Sequence, residues 1–286
     1  MFENYTPLWK VDNVLRLEQL FRSIKDNTNK RIEPEYLKEY IYHTYRFSLD
    51  NHIMITGQNG MGKSLAAYWL AKYLDPNFDE SKIIFPSVSF ADFVNRIFQA
   101  DSDIVLIDEG DEYFNYREHS TKEALIMDKL IKYLRWRKNI FMVCMKNIRE
   151  VVHFYRKGKV NILIHLLNRY YDGPIASVGA VFVGSSVSDM QDKFDFSSLL
   201  ESNTFKDFIE RLEKDNKTFV GYIEIPRLPK EVVEKYLQKK AENEKILQEK
   251  YVEEITRMLT VRKAKYAIAK AVLNKLEESE KRKEEP

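Results

Sequence analysis

The stretch HIMITGQNGMGKSLAAYWLAKYL, residues 52–74, sets a glycine-rich loop between an apolar run of strand length and a helix-patterned segment. HIMIT (52–56) reads as a strand, and KSLAAYWLAKYL (63–74) as a helix with Leu65, Trp69, Leu70 and Leu74 inward, ending before DPN. The loop satisfies G-x-x-x-x-G-K-[ST] through Gly57, Gly62, Lys63 and Ser64, and Gly60 adds a third glycine. Glycine is needed because backbone N–H groups must turn inward around phosphate oxygens, at φ values and distances that a Cβ obstructs. A nucleotide would lie along Gly57, Gln58, Asn59, Gly60, Met61, Gly62, Lys63, Ser64 and Leu65. Lys63 reaches the β and γ phosphates, Ser64 ligates Mg²⁺, and the helix directs its positive end at the anion. The bland alternative is a glycine turn that binds nothing; the strand before it and the helix after it argue against that.

Outward from the loop, strands and helices alternate. KIIFPSVSF reads as a strand, ADFVNRIFQA as a helix and DIVLIDEG (103–110) as a buried strand. A long helix runs from about Thr121 through YLRWRK, followed by the buried strand NIFMVCMKN (139–147), a short helix REVVHFYRK and a strand VNILIHLLNR (160–169). Strands apolar throughout are covered on both faces, which predicts a mostly parallel sheet in a three-layer P-loop NTPase fold. Asp108 and Glu109 end DIVLIDEG at the carboxyl edge of such a sheet, where ligands bind. Asp108 is the expected second protein contact for Mg²⁺, and Glu109 the base that polarises water for attack on the γ phosphate. Kinases with a phosphate-binding loop generally lack the adjacent glutamate; hydrolases of the additional-strand class carry it. KIIFPSVSF, between the loop and the acidic pair, is taken as that additional strand. Asp111 and Glu112 read as solvated loop acids.

In RWRKNIFMVCMKN, Arg135 and Arg137 end the long helix and Asn147 ends the next strand. An arginine there can equally cap helix carbonyls or make a surface ion pair. The order GQNGMGKS, IVLIDEG, long helix, LRWRKNIFMVCMKN, NILIHLLNR resembles the HerA/FtsK superfamily of ring-forming DNA motors, and also the ATPase part of zonular-occludens-toxin-like phage assembly proteins. That likeness spans about residues 50–170. It implies Arg137 as an arginine finger acting across a subunit boundary, with Arg135 in reserve. Asn147 falls where the family carries a glutamine that senses the γ phosphate. The implied activity is ATP hydrolysis with Mg²⁺ in a homo-oligomer, a hexameric ring that moves or remodels DNA. The alternative is an ATP-switched assembly protein or helicase-loader-like protein that changes partners without translocating.

Four segments are expected: a helical N-terminal appendage (1–50), the ATPase core (51–170), a β-rich extension (171–228) and a charged helical C-terminal segment (229–286) that offers a surface to a protein partner. In the extension, ASVGAVFVGSS is a strand that pairs with 160–169, FKDFIERLEKD a helix and KTFVGYIEI a further strand. Within the appendage, VLRLEQLFRSI and EPEYLKEYIYHTYRF are helices. The 286 residues, 44% hydrophobic and 31% charged, have the composition of a globular protein, and a net charge of +2 does not by itself argue for nucleic acid. Basic residues cluster locally in 146–159 and 261–270, where lysine-rich faces are as readily solvated as phosphate-binding. A single cysteine, Cys144 in an apolar run, reads as a buried thiol in a reducing compartment. The five histidines show no metal-ligand spacing, and His165 reads as a packed strand residue. The longest uncharged run, 175–188, is too short to span a membrane, so a cytoplasmic location without a membrane partner is expected.

Overall fold

A computed structural model of the protein describes residues 30–46, 51–86, 89–114, 126, 129–134, 137–146, 160–183 and 218–284. The expected helices at VLRLEQLFRSI, REVVHFYRK and FKDFIERLEKD, the start of the long helix, and both Arg135 and Asn147 lie outside the described residues. The elements are α1 (Pro34–Arg46), β1 (His52–Thr56), α2 (Lys63–Leu74), β2 (Ile83–Ile84), α3 (Phe90–Gln99), β3 (Ile104–Ile107), the short α4 (Asp111–Phe114), β4 (Ile140–Met145), β5 (Ile162–Arg169), β6 (Ile175–Val183), β7 (Phe219–Pro226) and α5 (Lys230–Glu284). Residues 129–134 are also helical.

The described strands form one seven-stranded sheet in the order β2-β3-β4-β1-β5-β6-β7. The first five run parallel, β6 returns antiparallel along β5, and β7 is antiparallel to β6. The mostly parallel α/β sheet is therefore present, and the expected pairing of the ASVGAVFVGSS segment with 160–169 is found as the β5–β6 ladder, with β6 at Ile175–Val183.

Two details of the sheet differ from the expectation. Among the described residues of KIIFPSVSF, strand is confined to Ile83–Ile84, on the sheet edge against β3. Pro86, two residues on, lacks the N–H that a longer ladder needs. The strand that separates the loop strand from the carboxylate strand is instead β4, paired with β1 on one side and β3 on the other. The additional strand is thus NIFMVCM, which apolar content could not reveal because order within a sheet is a matter of pairing, not periodicity.

β4 is buried at all six positions, and its alternation assigns each side chain to a layer. Phe141, Val143 and Met145 join Met54, Val105, Ile107, Phe93, Ile97, Leu130 and Leu134 on one face. Ile140, Met142 and Cys144 join Ile53, Ile55, Leu106, Leu37, Ile41 and the inner side of α2 on the other. Helices α1 and α2 thus cover one face, and α3 with the 129–134 segment covers the opposite one. α1 is led in by residues 30–32, which pair with the outer edge of β7 through Ile32 N to Tyr222 O (2.7 Å) and Tyr222 N to Lys30 O (2.9 Å).

The chain divides into two compact units, Met1–Lys239 and Lys240–Pro286. The first carries the sheet and the site. In the second, helix continues to Glu284, with Ile246, Val252, Ile255, Met258 and Leu259 exposed.

Candidate functional site

The site forms where β1 and β3 end, at the carboxyl edge of the sheet. After Thr56 the backbone passes through Gly57, Gly60 and Gly62 at φ 149°, 83° and 87°, all in the region that favours glycine. At Gly57 space is also limiting, since a Cβ there would lie 3.1 Å from the Cβ of Leu166 on β5. Gly62 opens α2 in a left-handed conformation and no side chain caps the helix. The first-turn N–H groups of α2 are therefore directed into the loop, the arrangement that favours an anion. The Lys63 ammonium donates to the carbonyls of Gly57 (2.9 Å) and Gln58 (3.2 Å), so it lies over the loop it closes. Partial burial lowers its pKa from the ordinary lysine value, opposed by the nearby Asp111 and Asp108 carboxylates. Gln58 and Asn59 are exposed on the loop, whereas Met61 and Leu65 pack against the core and anchor it.

Because β4 intervenes, β1 and β3 stand two strand spacings apart, roughly 10 Å. Helix α2 spans that gap: the Ser64 hydroxyl donates to Asp108 Oδ1 at 2.7 Å. Asp108 is 1% exposed, and its own N–H extends the β2–β3 ladder to the carbonyl of Ile84. Glu109 follows at φ 50°, an uncommon conformation for a glutamate, with its N–H donating back to Asp108 Oδ1 at 3.0 Å. Gly110 then anchors the turn to β4 by donating to the Cys144 carbonyl at 2.8 Å. Asp108 is thereby held inward while Glu109 is exposed at the tip of the turn. Asp111 is no mere solvated acid, because both its carboxylate oxygens accept the Lys146 N–H at 3.0 Å and so fix the end of β4 beside the turn.

Arg137 lies before β4, at the amino edge of the sheet and so at the opposite end from the loop in the same chain. Its guanidinium donates to the carbonyls of Phe98 (3.4 Å) and Ala100 (3.1 Å), capping the end of α3, and lies over the Tyr133 ring at 5.8 Å. Lys138 adopts φ 58° and Asn139 N–H returns to the Leu134 carbonyl at 3.0 Å, the wide hydrogen bond with which helices end in a left-handed residue. The arginine–lysine pair therefore terminates one helix and caps another.

Two site residues escaped the sequence reading. Tyr236 of α5, 2% exposed, donates its hydroxyl to Asp108 Oδ2 at 2.5 Å. Burial first, and then the Asp108 charge, push its pKa far above the ordinary phenol value, so it remains a donor. The partners are 128 positions apart, and no local pattern signals the contact. Arg169, at the end of β5, donates to the carbonyl of Gly60 and braces the loop. It was legible in principle, because a strand parallel to β1 ends at the same edge as the loop. His165 of β5 shares a 2.8 Å hydrogen bond with Thr56, and burial, aided by the Lys63 charge, lowers its pKa to about 4. Cys144 is buried, as its apolar neighbours imply.

A glycine loop with an invading lysine, a helix start aimed at it and a serine–aspartate bridge across an inserted strand define a P-loop ATPase site. Residues 53–154 match the model of the ATPase family associated with various cellular activities, AAA, and the chain is an ATP hydrolase. No curated protein matches the chain. Among solved structures it is similar to the N-terminal domain of zonular occludens toxin from Neisseria meningitidis, with 14% identity over 49% of this chain and 88% of that one and a TM-score of 0.33. It is also similar to the genome packaging NTPase B204 of Sulfolobus turreted icosahedral virus 2 in complex with ATP-gammaS, with 13% identity over 47% and 92% of the two chains and a TM-score of 0.34. A third similarity is to the VirB11 ATPase of the Brucella suis type IV secretion system, with 12% identity over 64% and 59% and a TM-score of 0.35. Among the described residues no helix is long and apolar enough to cross a membrane. Among the same residues no group of three or more His, Cys, Asp or Glu side chains could hold a metal.

Proposed function

We propose that the chain is a Mg²⁺-dependent ATPase that works as a homo-oligomeric motor on DNA, of the kind the HerA/FtsK-like motif order implies. The observation that carries the chemistry is the Ser64–Asp108 bridge at 2.7 Å beside the glycine loop. Two hard oxygen donors on separate elements suit Mg²⁺, which takes one or two protein oxygens and completes its shell with water and nucleotide phosphates rather than with a protein cage. Held there by Ser64 and Asp108, the ion would neutralise charge on the nucleotide's β and γ phosphates. Lys63 and the loop amides would stabilise the same charge. Glu109, exposed on the turn next to Asp108, is the proposed acceptor of a proton from the attacking water. The expected outcome for Glu109→Gln is a loss of about 10²-fold or more in ATP turnover with nucleotide still bound. Turnover equal to the parent's removes Glu109 as the base.

Arg137 is the candidate to act on a neighbour's nucleotide. In its own chain it caps α3, so Arg137→Ala has two separable consequences. A finger acting in trans predicts that mixing this variant into wild-type assemblies depresses activity more than dilution does; a cap alone predicts simple dilution with lowered stability. Asn147 as the γ-phosphate sensor and Arg135 as the reserve finger complete the proposed site. A second reading, in which ATP switches partners without translocation, is favoured by the direct contact of α5 with Asp108. Stimulation of turnover by single- or double-stranded DNA supports the motor; ATP-dependent assembly with no response to either supports the switch.

A further inference from the structure

Tyr236 reaches the carboxylate of Asp108 from the C-terminal helix, and it does so from a closed aromatic pocket. Its ring is stacked with Tyr68 at 6.0 Å and 28°, and packs against Phe85 at 6.1 Å. Tyr68 belongs to α2, the helix that carries Lys63 and Ser64, and its own hydroxyl donates to Glu80 at 3.0 Å. Phe85 follows β2, next to the strand that delivers Asp108. The phenol is thus wedged between the two elements that supply the protein side of the metal site. On Asp108 the donors are divided: Ser64 and the Glu109 N–H meet Oδ1, at 2.7 and 3.0 Å, while Tyr236 meets Oδ2 at 2.5 Å. A carboxylate held at both oxygens cannot rotate about its Cβ–Cγ bond without breaking a buried hydrogen bond, and buried donors left unpaired are costly.

We infer that Tyr236 is a positioning residue for the metal site: it fixes the Asp108 carboxylate in the orientation that accepts Mg²⁺ coordination, and it makes the seating of residues 230–239 dependent on the Mg²⁺–nucleotide complex. This rests on the reading of Ser64 and Asp108 as the metal-holding pair. Groups that orient a metal's carboxylate typically contribute 10- to 100-fold to metal affinity. Because coupling between two sites is reciprocal, a metal that uses the oriented carboxylate also holds the tyrosine in place. The helix that leaves the ATPase unit at Lys239 is then a reporter of the nucleotide state, with a defined residue at the contact.

The test uses the full chain and its Tyr236→Phe variant, which keeps the ring and removes the hydroxyl. Mn²⁺ binding in the presence of adenylyl imidodiphosphate is followed by electron paramagnetic resonance, and amide exchange of residues 230–239 is followed with and without the same complex. The expected result is an apparent Mn²⁺ dissociation constant raised about 10-fold in the variant. In the parent, exchange at 230–239 slows when the complex binds, and this slowing is lost in the variant. Tyr68→Phe, which removes a neighbouring hydroxyl that does not touch Asp108, should bind Mn²⁺ as the parent does. Equal Mn²⁺ affinity in parent and Tyr236→Phe, tighter binding in Tyr236→Phe, or equal weakening in both tyrosine variants overturns the inference. So does a parent whose 230–239 exchange ignores the complex, a measurement that needs no variant to fold. A parent that binds neither the analogue nor Mn²⁺ overturns the reading of the site itself, whereas a parent that binds both and a variant that matches it remove only Tyr236.

Discussion

At the scale of single residues, the chemistry depends on which side chains the strand ends turn inward. Asp108 is buried and Glu109 exposed although they are neighbours, because Glu109 takes φ 50° and reverses the chain at that point. Strain at such a residue costs on the order of 1 kcal/mol and persists where the surroundings enforce it, here the hydrogen bonds of Glu109 N–H to Asp108 and of Gly110 N–H to Cys144. One β5 neighbour of the loop gives a pH prediction. His165, whose pKa falls from 6.5 to about 4 in the folded chain, binds a proton more readily when unfolded. Stability from this group is therefore complete above pH 6.5 and is lost as the pH falls towards 4. A shift of that size corresponds to about 3 kcal/mol at 1.36 kcal/mol per unit, and the ring's partial exposure reduces the expectation to about 2 kcal/mol. Urea unfolding of the parent and of His165→Gln at pH 7 and at pH 4.5 measures it. The parent should lose about 2 kcal/mol more than the variant between the two conditions; parallel losses remove His165 as the source.

At the scale of elements, the glycine loop, the helix after it and the acidic strand end were legible because each carries a local signature. The helix runs Lys63–Leu74, as its apolar spacing predicts, and the strand at Ile104–Ile107 ends directly at the acidic pair. What local signatures could not carry was lateral order. NIFMVCM and KIIFPSVSF are both apolar, and only pairing shows that the first lies between the loop strand and the carboxylate strand while the second is a two-residue edge. Nor does spacing show that Arg137 caps α3, since its partners lie 37 and 39 positions away. The turn after β3 is where packing and chemistry meet. Gly110 has no room for a side chain: a Cβ would lie 2.3 Å from Val143 Cγ1 and 3.1 Å from the Cys144 carbonyl oxygen. Valine in a central strand has little freedom to turn aside, so Gly110→Ala must displace the turn or β4. Overpacking of this kind costs about 1–3 kcal/mol. Guanidinium unfolding should show that loss, and ATP turnover should fall with it because Glu109 rides on the same turn. A variant as stable and active as the parent would show that the turn has slack the packing does not indicate.

At the scale of the whole molecule, the division at Lys239–Lys240 separates two kinds of stability. The first unit buries aromatic and branched side chains on both faces of its sheet, so its central amides open only with the unit as a whole. The second is a lysine- and glutamate-rich helix on which Val252, Ile255, Met258 and Leu259 are each more than half exposed. Over 246–259 the helix buries little apolar surface, so this stretch draws its stability from propensity and neighbouring charge pairs, which sustain long helices only marginally. Amide exchange should therefore be slow in β1, β3 and β4 and faster by orders of magnitude in residues 246–259 of the isolated chain. If this segment is the surface that a partner or a second copy covers, its exchange should slow when ATP and DNA, or higher protein concentration, bring that surface into contact. The three additions distinguish the readings of the protein's function. Slowing that requires DNA belongs to the motor. Slowing with ATP and protein concentration alone belongs to assembly. Fast exchange under every one of these conditions excludes the C-terminal helix as an interface in either role and leaves the ATPase unit to supply its own contacts.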